Sequence, residues 1–126
     1  FQTASPSGTP FVVQQLVDNL EYRLENAATD EEKLERILDA HIQFERIHPF
    51  SDGNGRTGRV IMNYSLLQEG FPPLIIEKET KATYIELLAK QDLDGFMSFA
   101  KEILAKEQKR MKAFQNMDQE QIKQIE

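Results

Sequence analysis

The sequence predicts an all-α fold. Three observations carry that reading. Apolar residues recur at spacings of three and four, as in Val13, Leu16, Leu20 and Leu24, the period of one helix face. Helix start and stop signals bound the periodic segments. No run of residues alternates apolar and polar in the way a half-buried strand would.

Each element has its own signal. Residues 1–9 are rich in Ser, Thr and Gly, with Pro6 as a turn signal, and read as a loop. Thr9 followed by Pro10 reads as a hydroxyl N-cap and a proline at the first helical position, opening a helix to about Glu25. Thr29 with Glu32 three residues on fits a capping box. The helix it opens carries Leu34, Ile37, Leu38, His41, Ile42 and Glu45, and ends near His48, because Pro49 disfavours helix at the residue before it. Asp52-Gly53-Asn54-Gly55 reads as a turn. A third helix is expected from about Arg56 to Glu69, with Gly70 as a left-handed cap. Leu74-Ile75-Ile76 is a short apolar run compatible with strand or loop. Thr80 to Lys90 reads as a fourth helix. Asp94-Gly95 punctuates, and Phe96, Phe99, Ile103 and Leu104 begin a fifth. From Lys106 the chain is highly charged, with Met111, Phe114 and Met117 at helical spacing, as in a partner-facing or partly solvated helix.

Composition narrows the function. The 126 residues fit one domain. The absence of cysteine excludes disulfide scaffolds, thiolate metal sites and a cysteine nucleophile, and suits a cytoplasmic setting. The net charge of −6 argues against nonspecific nucleic-acid or anionic-membrane binding as the main role. No apolar run approaches the roughly 18 residues of a membrane span. A chain that begins at Phe1 rather than Met reads as a fragment.

The chemistry concentrates in His48-Pro49-Phe50-Ser51-Asp52-Gly53-Asn54-Gly55-Arg56-Thr57-Gly58-Arg59. The glycines allow positive φ, so consecutive backbone N–H groups can converge on an anion. The helix that follows adds unpaired N–H groups and a positive dipole end. Arg56 and Arg59, three residues apart, share a helix face and can fork onto phosphate oxygens. Asp52 offers one hard oxygen ligand, and one carboxylate with phosphates and water is how Mg²⁺ is usually held. His48 has the imidazole chemistry of a general base near neutral pH. Each feature alone has a plainer explanation: a structural histidine, a turn, a solvated arginine pair. Their conjunction within twelve residues points to a di- or triphosphate, a magnesium ion and a base.

This stretch resembles the Fic (Fido) signature, H-x-F-x-[DE]-G-N-G-R-x-x-R, with every fixed position filled. The lead-in AHIQFERIHPF, the follow-on MNYSLLQEGFPPLII, and Tyr84-Ile85-Glu86-Leu87-Leu88 with Asp94-Gly95 and Phe96 are also similar to that family. The resemblance covers residues 10–104, which are read as the catalytic domain, with 1–9 a loop or flap remnant and 105–126 a charged helical tail.

The resemblance implies a Fic-type helical bundle that transfers AMP from ATP to a Ser, Thr or Tyr hydroxyl of a target protein, releasing pyrophosphate. It implies that His48 deprotonates the hydroxyl, Phe50 anchors the loop, and Asp52 holds Mg²⁺ (or Mn²⁺). Gly53, Asn54 and Gly55 would cradle the phosphates, helped by the helix N-terminus at Thr57 and Gly58, and Arg56 and Arg59 would contact the β- and γ-phosphates. Tyr84 falls near the expected nucleotide base, where ordinary core packing explains it equally well. Gly53 and Gly55 are both present, which favours adenylylation over the phosphate transfer of a branch that carries Lys there.

His41, on the apolar stripe, reads as a core histidine, and Glu45 as a structural residue. The family's inhibitory pattern, [ST]-x-x-x-E-[GN], is matched by letter at Ser65 to Gly70, but those residues are accounted for as helix body and cap. The inhibitor is then an N-terminal helix, a separate antitoxin, or absent. The β-hairpin flap that family members place before the first helix would have only residues 1–9 and reads as truncated. Expected partners are a hydroxyl-bearing target protein and another copy of the chain, without nucleic-acid or membrane contact. Two alternatives keep the motif in other roles. One is a Fic-fold enzyme that uses another nucleotide donor or removes AMP. The other is a non-catalytic helical module that binds nucleotide or a partner.

Overall fold

The computed structural model describes residues 9–47 and 54–125, with side chains over 14–47 and 55–117. Five α-helices account for nearly all of it: α1 (Thr9–Glu25), α2 (Asp30–Ile47), α3 (Asn54–Gln68), α4 (Lys81–Ala89) and α5 (Leu93–Ile125). A 3-10 turn over Lys78–Thr80 precedes α4. No strand occurs among the described residues, so Leu74-Ile75-Ile76 is irregular chain. It is tied to α3 by the Leu74 N–H, which donates to Asn63 Oδ1 at 2.8 Å, while the Leu74 side chain is buried. The stretch expected to hold the flap, residues 1–8, lies outside the described residues.

Capping chemistry sets most boundaries. Thr29 Oγ1 accepts from the Glu32 N–H at 3.1 Å, and Glu32 Oε2 reaches back to the Ala28 N–H at 2.8 Å, one residue before the donor of an ideal capping box. At the end of α3, Gly70 has φ +86°. The Phe71 N–H donates to the Leu66 carbonyl at 2.9 Å and the Gly70 N–H to Leu67 at 3.2 Å, which completes a Schellman motif.

Two boundaries differ from the sequence reading. Helix α3 begins at Asn54 rather than Arg56, so Asn54 and Gly55 are its first turn and not part of a preceding turn. The first four N–H groups of a helix need no intrahelical acceptor, so helix can form immediately after the glycine at 53. Helix α5 begins at Leu93, so Asp94-Gly95 lies inside its first turn and does not interrupt the chain. The cap is Asp92, whose Oδ1 accepts the Gly95 N–H at 2.9 Å. From Leu93 the helix runs unbroken through the charged stretch to Ile125, with Met111, Phe114 and Met117 exposed.

Helix α2 is the hub, touching α1, α3, α4 and α5. Its inner face supplies Leu34, Ile37, Leu38 and Ile42 to a core completed by Leu20, Met62, Leu66, Leu74, Phe96 and Ala100. Removal of this apolar surface from water is the main favourable contribution to folding. Ion pairs lock the periphery: Arg23 to Asp39 at 2.8 Å joins α1 to α2, and Lys33 to Glu69 at 3.6 Å joins α2 to α3. Both are partly solvated and contribute little individually. The packing holds the C-terminal end of α2, the N-terminal end of α3 and the length of α4 around one opening.

Candidate active site

That opening is a cavity of about 530 Å³ lined by Glu45 and Arg46 from α2, Gly55 and Arg59 from α3, Lys81, Tyr84, Ile85, Leu88 and Ala89 from α4, and Gln91. Its volume suits a small-molecule ligand. The wall is apolar along Ile85, Leu88 and Ala89 of α4, with Lys81 at the start of that helix and Glu45, Arg46 and Arg59 on α2 and α3. The Arg59 guanidinium folds back over Gly55, where an added Cβ would lie 3.1 Å from its Nη1, so glycine leaves room for the guanidinium against the helix end. One turn on, Gly58 lets α3 press against α2. A Cβ there would strike the Glu45 carboxylate and come within 2.9 Å of the Phe44 ring.

A buried polar chain crosses the floor of the cavity. Tyr84 Oη and His41 Nε2 are 2.6 Å apart, joining α4 to α2. The two rings stack with centroids 5.8 Å apart, and the Phe96 ring stands edge-on to Tyr84 at 6.0 Å. Burial, aided by the nearby positive charge of Arg59 and opposed by the Gly58 carbonyl, pushes His41 down to about 4. His41 is therefore neutral at physiological pH. Its Nδ1 has no hydrogen-bond partner of good geometry among the described residues, although the Gly58 carbonyl is close enough to favour the cation.

Burial and the negative charge of Glu45 push the Tyr84 phenol up to about 12, against the opposing effect of the nearby Arg59 guanidinium. Burial also raises Glu45, opposed by Arg59. The Glu45 Oε1 atom is buried without a hydrogen-bond partner among the described residues. Arg59 is thus flanked by a carboxyl group from α2 and a hydroxyl from α4.

The predicted site residues separate into three groups. Gly55, Arg59 and Tyr84 meet at the cavity. Asn54 opens α3; Arg56 is exposed, Thr57 is half-buried and Gly58 is buried against α2, these three outside the cavity wall. His48, Phe50, Asp52 and Gly53 lie outside the described residues. Reading the sequence assigned Glu45 to structure, whereas it lines the cavity; its position four residues after His41, on the same helix face, was the available signal. Arg46, Lys81 and Gln91 were not anticipated, and nothing in their local sequence marks them. His41 is the core histidine expected. Ser65 and Glu69 are also occupied as expected: Ser65 Oγ donates to the Ile61 carbonyl at 2.9 Å, and Glu69 pairs with Lys33.

Residues 1–66, just over half of the chain, match the pattern that defines the Fic/DOC family. The chain belongs to the Fic/DOC family. Its relatives within that family include a protein adenylyltransferase of Caenorhabditis briggsae, 33% identical over 97 residues, which cover 77% of this chain and 19% of the relative. A second, the protein adenylyltransferase Fic of Aedes aegypti, is 51% identical over 63 residues, covering 48% of this chain and 13% of that protein. The chain therefore spans one fifth or less of the length of these relatives. A solved Fic-domain-containing signaling protein from Bacteroides thetaiotaomicron superposes with a TM-score of 0.68 at 29% identity, over 82% of this chain and 44% of that one. The helical architecture described above is thus that of a Fic domain.

Proposed function

We propose that this Fic domain transfers AMP from ATP to a hydroxyl side chain of a target protein. The observation that carries the reading is the position of the cavity. It opens at the N-terminal turn of α3, directly after the motif His48 to Gly53, and Gly55 and Arg59 of that motif form its wall. The start of α3 at Asn54 leaves the backbone N–H groups of the first turn without intrahelical acceptors and aligns the positive end of the helix dipole with the same place. Phosphate binds at such helix ends. The adenylyltransferase names of the relatives support the same activity.

In this reading Arg59 neutralises the β- and γ-phosphates from the cavity side and Arg56 from solvent, and the apolar wall along α4 faces the nucleoside. His48 takes the proton from the target hydroxyl, the hydroxyl oxygen attacks the α-phosphorus, and the bond to the pyrophosphate oxygen breaks. The domain's contribution is orientation and charge stabilisation. No group of three His, Cys, Asp or Glu side chains among the described residues could hold a metal ion. In this reading the single carboxylate Asp52, with phosphate oxygens and water, would hold the ion. Such an ion would offset the charge that develops on pyrophosphate.

The target protein, a cytoplasmic setting and an inhibitory helix or antitoxin complete this reading. The occupied side chains of Ser65 and Glu69 support an inhibitor other than that segment. Among the described residues no helix is long and apolar enough to cross a membrane. Calorimetric titration with ATP and Mg²⁺, beside an assay of α-phosphate transfer, tests the proposal. The His48→Ala variant is expected to keep nucleotide binding and lose transfer. Transfer that survives the substitution removes His48 from its role.

A further inference from the structure

Tyr84 has two conceivable relations to a bound nucleotide: a platform for the base, or a support for the phosphate-binding arginine. The structure constrains it strongly. The side chain is 3% exposed, so its ring offers almost no free face. One face stacks on His41 and the edge of Phe96 closes another side. The hydroxyl is held 2.6 Å from His41 Nε2, leaving a lone pair for a donor from the cavity. Arg59 lines the same cavity from α3, near enough to act on the phenol, while its guanidinium is confined on the other side by the Gly55 backbone.

We infer that Tyr84 is a positioning residue for Arg59: its hydroxyl, fixed by His41, holds the guanidinium in the cavity where it meets the phosphates. The inference rests on the proposed role of Arg59 as a phosphate contact. In the tautomer that turns Nδ1–H toward the Gly58 carbonyl, His41 Nε2 accepts the phenol proton and leaves the phenol oxygen to accept from Arg59. Glu45 attracts the same guanidinium from α2. An arginine confined by the Gly55 backbone and drawn toward a fixed hydroxyl loses less side-chain entropy when phosphate arrives, which favours binding.

The test compares the affinities of AMP, ADP and ATP, each with Mg²⁺, for the native chain and for Tyr84→Phe, Arg59→Ala and Phe96→Leu. Tyr84→Phe keeps the ring and removes the hydroxyl. It is expected to weaken ATP roughly threefold to tenfold, the equivalent of one hydrogen bond, and to leave AMP unchanged. Arg59→Ala is expected to show the same selectivity with a larger loss. Phe96→Leu loosens the packing around Tyr84 without touching its hydroxyl, and is expected to keep the native ratio of ATP to AMP affinity.

An equal loss for all three nucleotides in Tyr84→Phe would overturn the inference in favour of a contact to the nucleoside. So would native affinities in Tyr84→Phe beside a selective ATP loss in Arg59→Ala. A ratio shifted equally by Phe96→Leu would reduce Tyr84 to a packing role. If Arg59→Ala loses no ATP selectivity, the phosphate role of Arg59 fails first and the inference falls with it.

Discussion

Tyr84 and His41, 43 positions apart in sequence, share a hydrogen bond of 2.6 Å that ties α4 to α2 beneath the cavity. Burial keeps the imidazole in this pair neutral by pushing His41 down to about 4. Folding thus depends on the protonation of one ring.

The sign of that dependence follows from linkage. In the unfolded chain His41 takes up a proton near its ordinary value of 6.5, and in the folded chain only near 4. Between these limits the unfolded state binds more protons, so stability is fully present above 6.5 and is lost as pH falls toward 4. The full contribution is roughly 3 kcal/mol. Urea titrations between pH 7 and 4 are expected to show this loss in the native chain and a flatter profile in His41→Gln. Equal slopes for the two proteins would contradict it.

Glu45 acts in the opposite sense. Burial raises its carboxyl above the ordinary carboxylate range. Its contribution is therefore complete below the unfolded value of 4.5 and is lost as pH rises through the folded one. Glu45→Gln removes that loss. The stability of the variant relative to the native chain is expected to rise as pH increases from about 4 to 7. A constant difference across this range, measured by denaturant titration, would show that the carboxyl is not held above its ordinary value.

Gln91 follows the last turn of α4 with φ +52°, in the left-handed region. Its N–H donates to the Leu88 carbonyl at 3.1 Å and the Asp92 N–H to Leu87 at 3.0 Å, the Schellman pattern already seen at Gly70. Glycine occupies this position without Cβ strain. Gln91→Gly is expected to gain about 0.5–1 kcal/mol, after allowance for the greater freedom of glycine in the unfolded chain. Gln91→Val, β-branched at positive φ, is expected to lose roughly 1–2 kcal/mol. Thermal unfolding of the two variants would contradict this account if Val matched or exceeded Gly.

What could be read from the sequence was local. Thr29 with Glu32, and Gly70 after a periodic run, mark their helix ends because the capping partners are only a few residues apart. Asp92 was missed as a cap because Asp94-Gly95 carries the stronger turn signal, yet Gly95 serves here as a donor in the first turn of α5. Asn54-Gly55 carries the same local turn signal, yet both residues are helical. The phosphate contacts proposed for Gly55 and Arg59 rest on the motif, which is local. The pairing of Tyr84 with His41 is not, since no local pattern records which helices meet. The burial of Glu45 is not local either: Gly58 of α3 packs directly against its carboxylate.

The most direct measurement is the intact mass of the chain after incubation with ATP and Mg²⁺, run in parallel on His48→Ala. The account predicts a gain of one AMP on a hydroxyl side chain of the native protein and none on the variant, with ATP bound by both. An equal adduct on His48→Ala, or no ATP bound by the native chain, would contradict it.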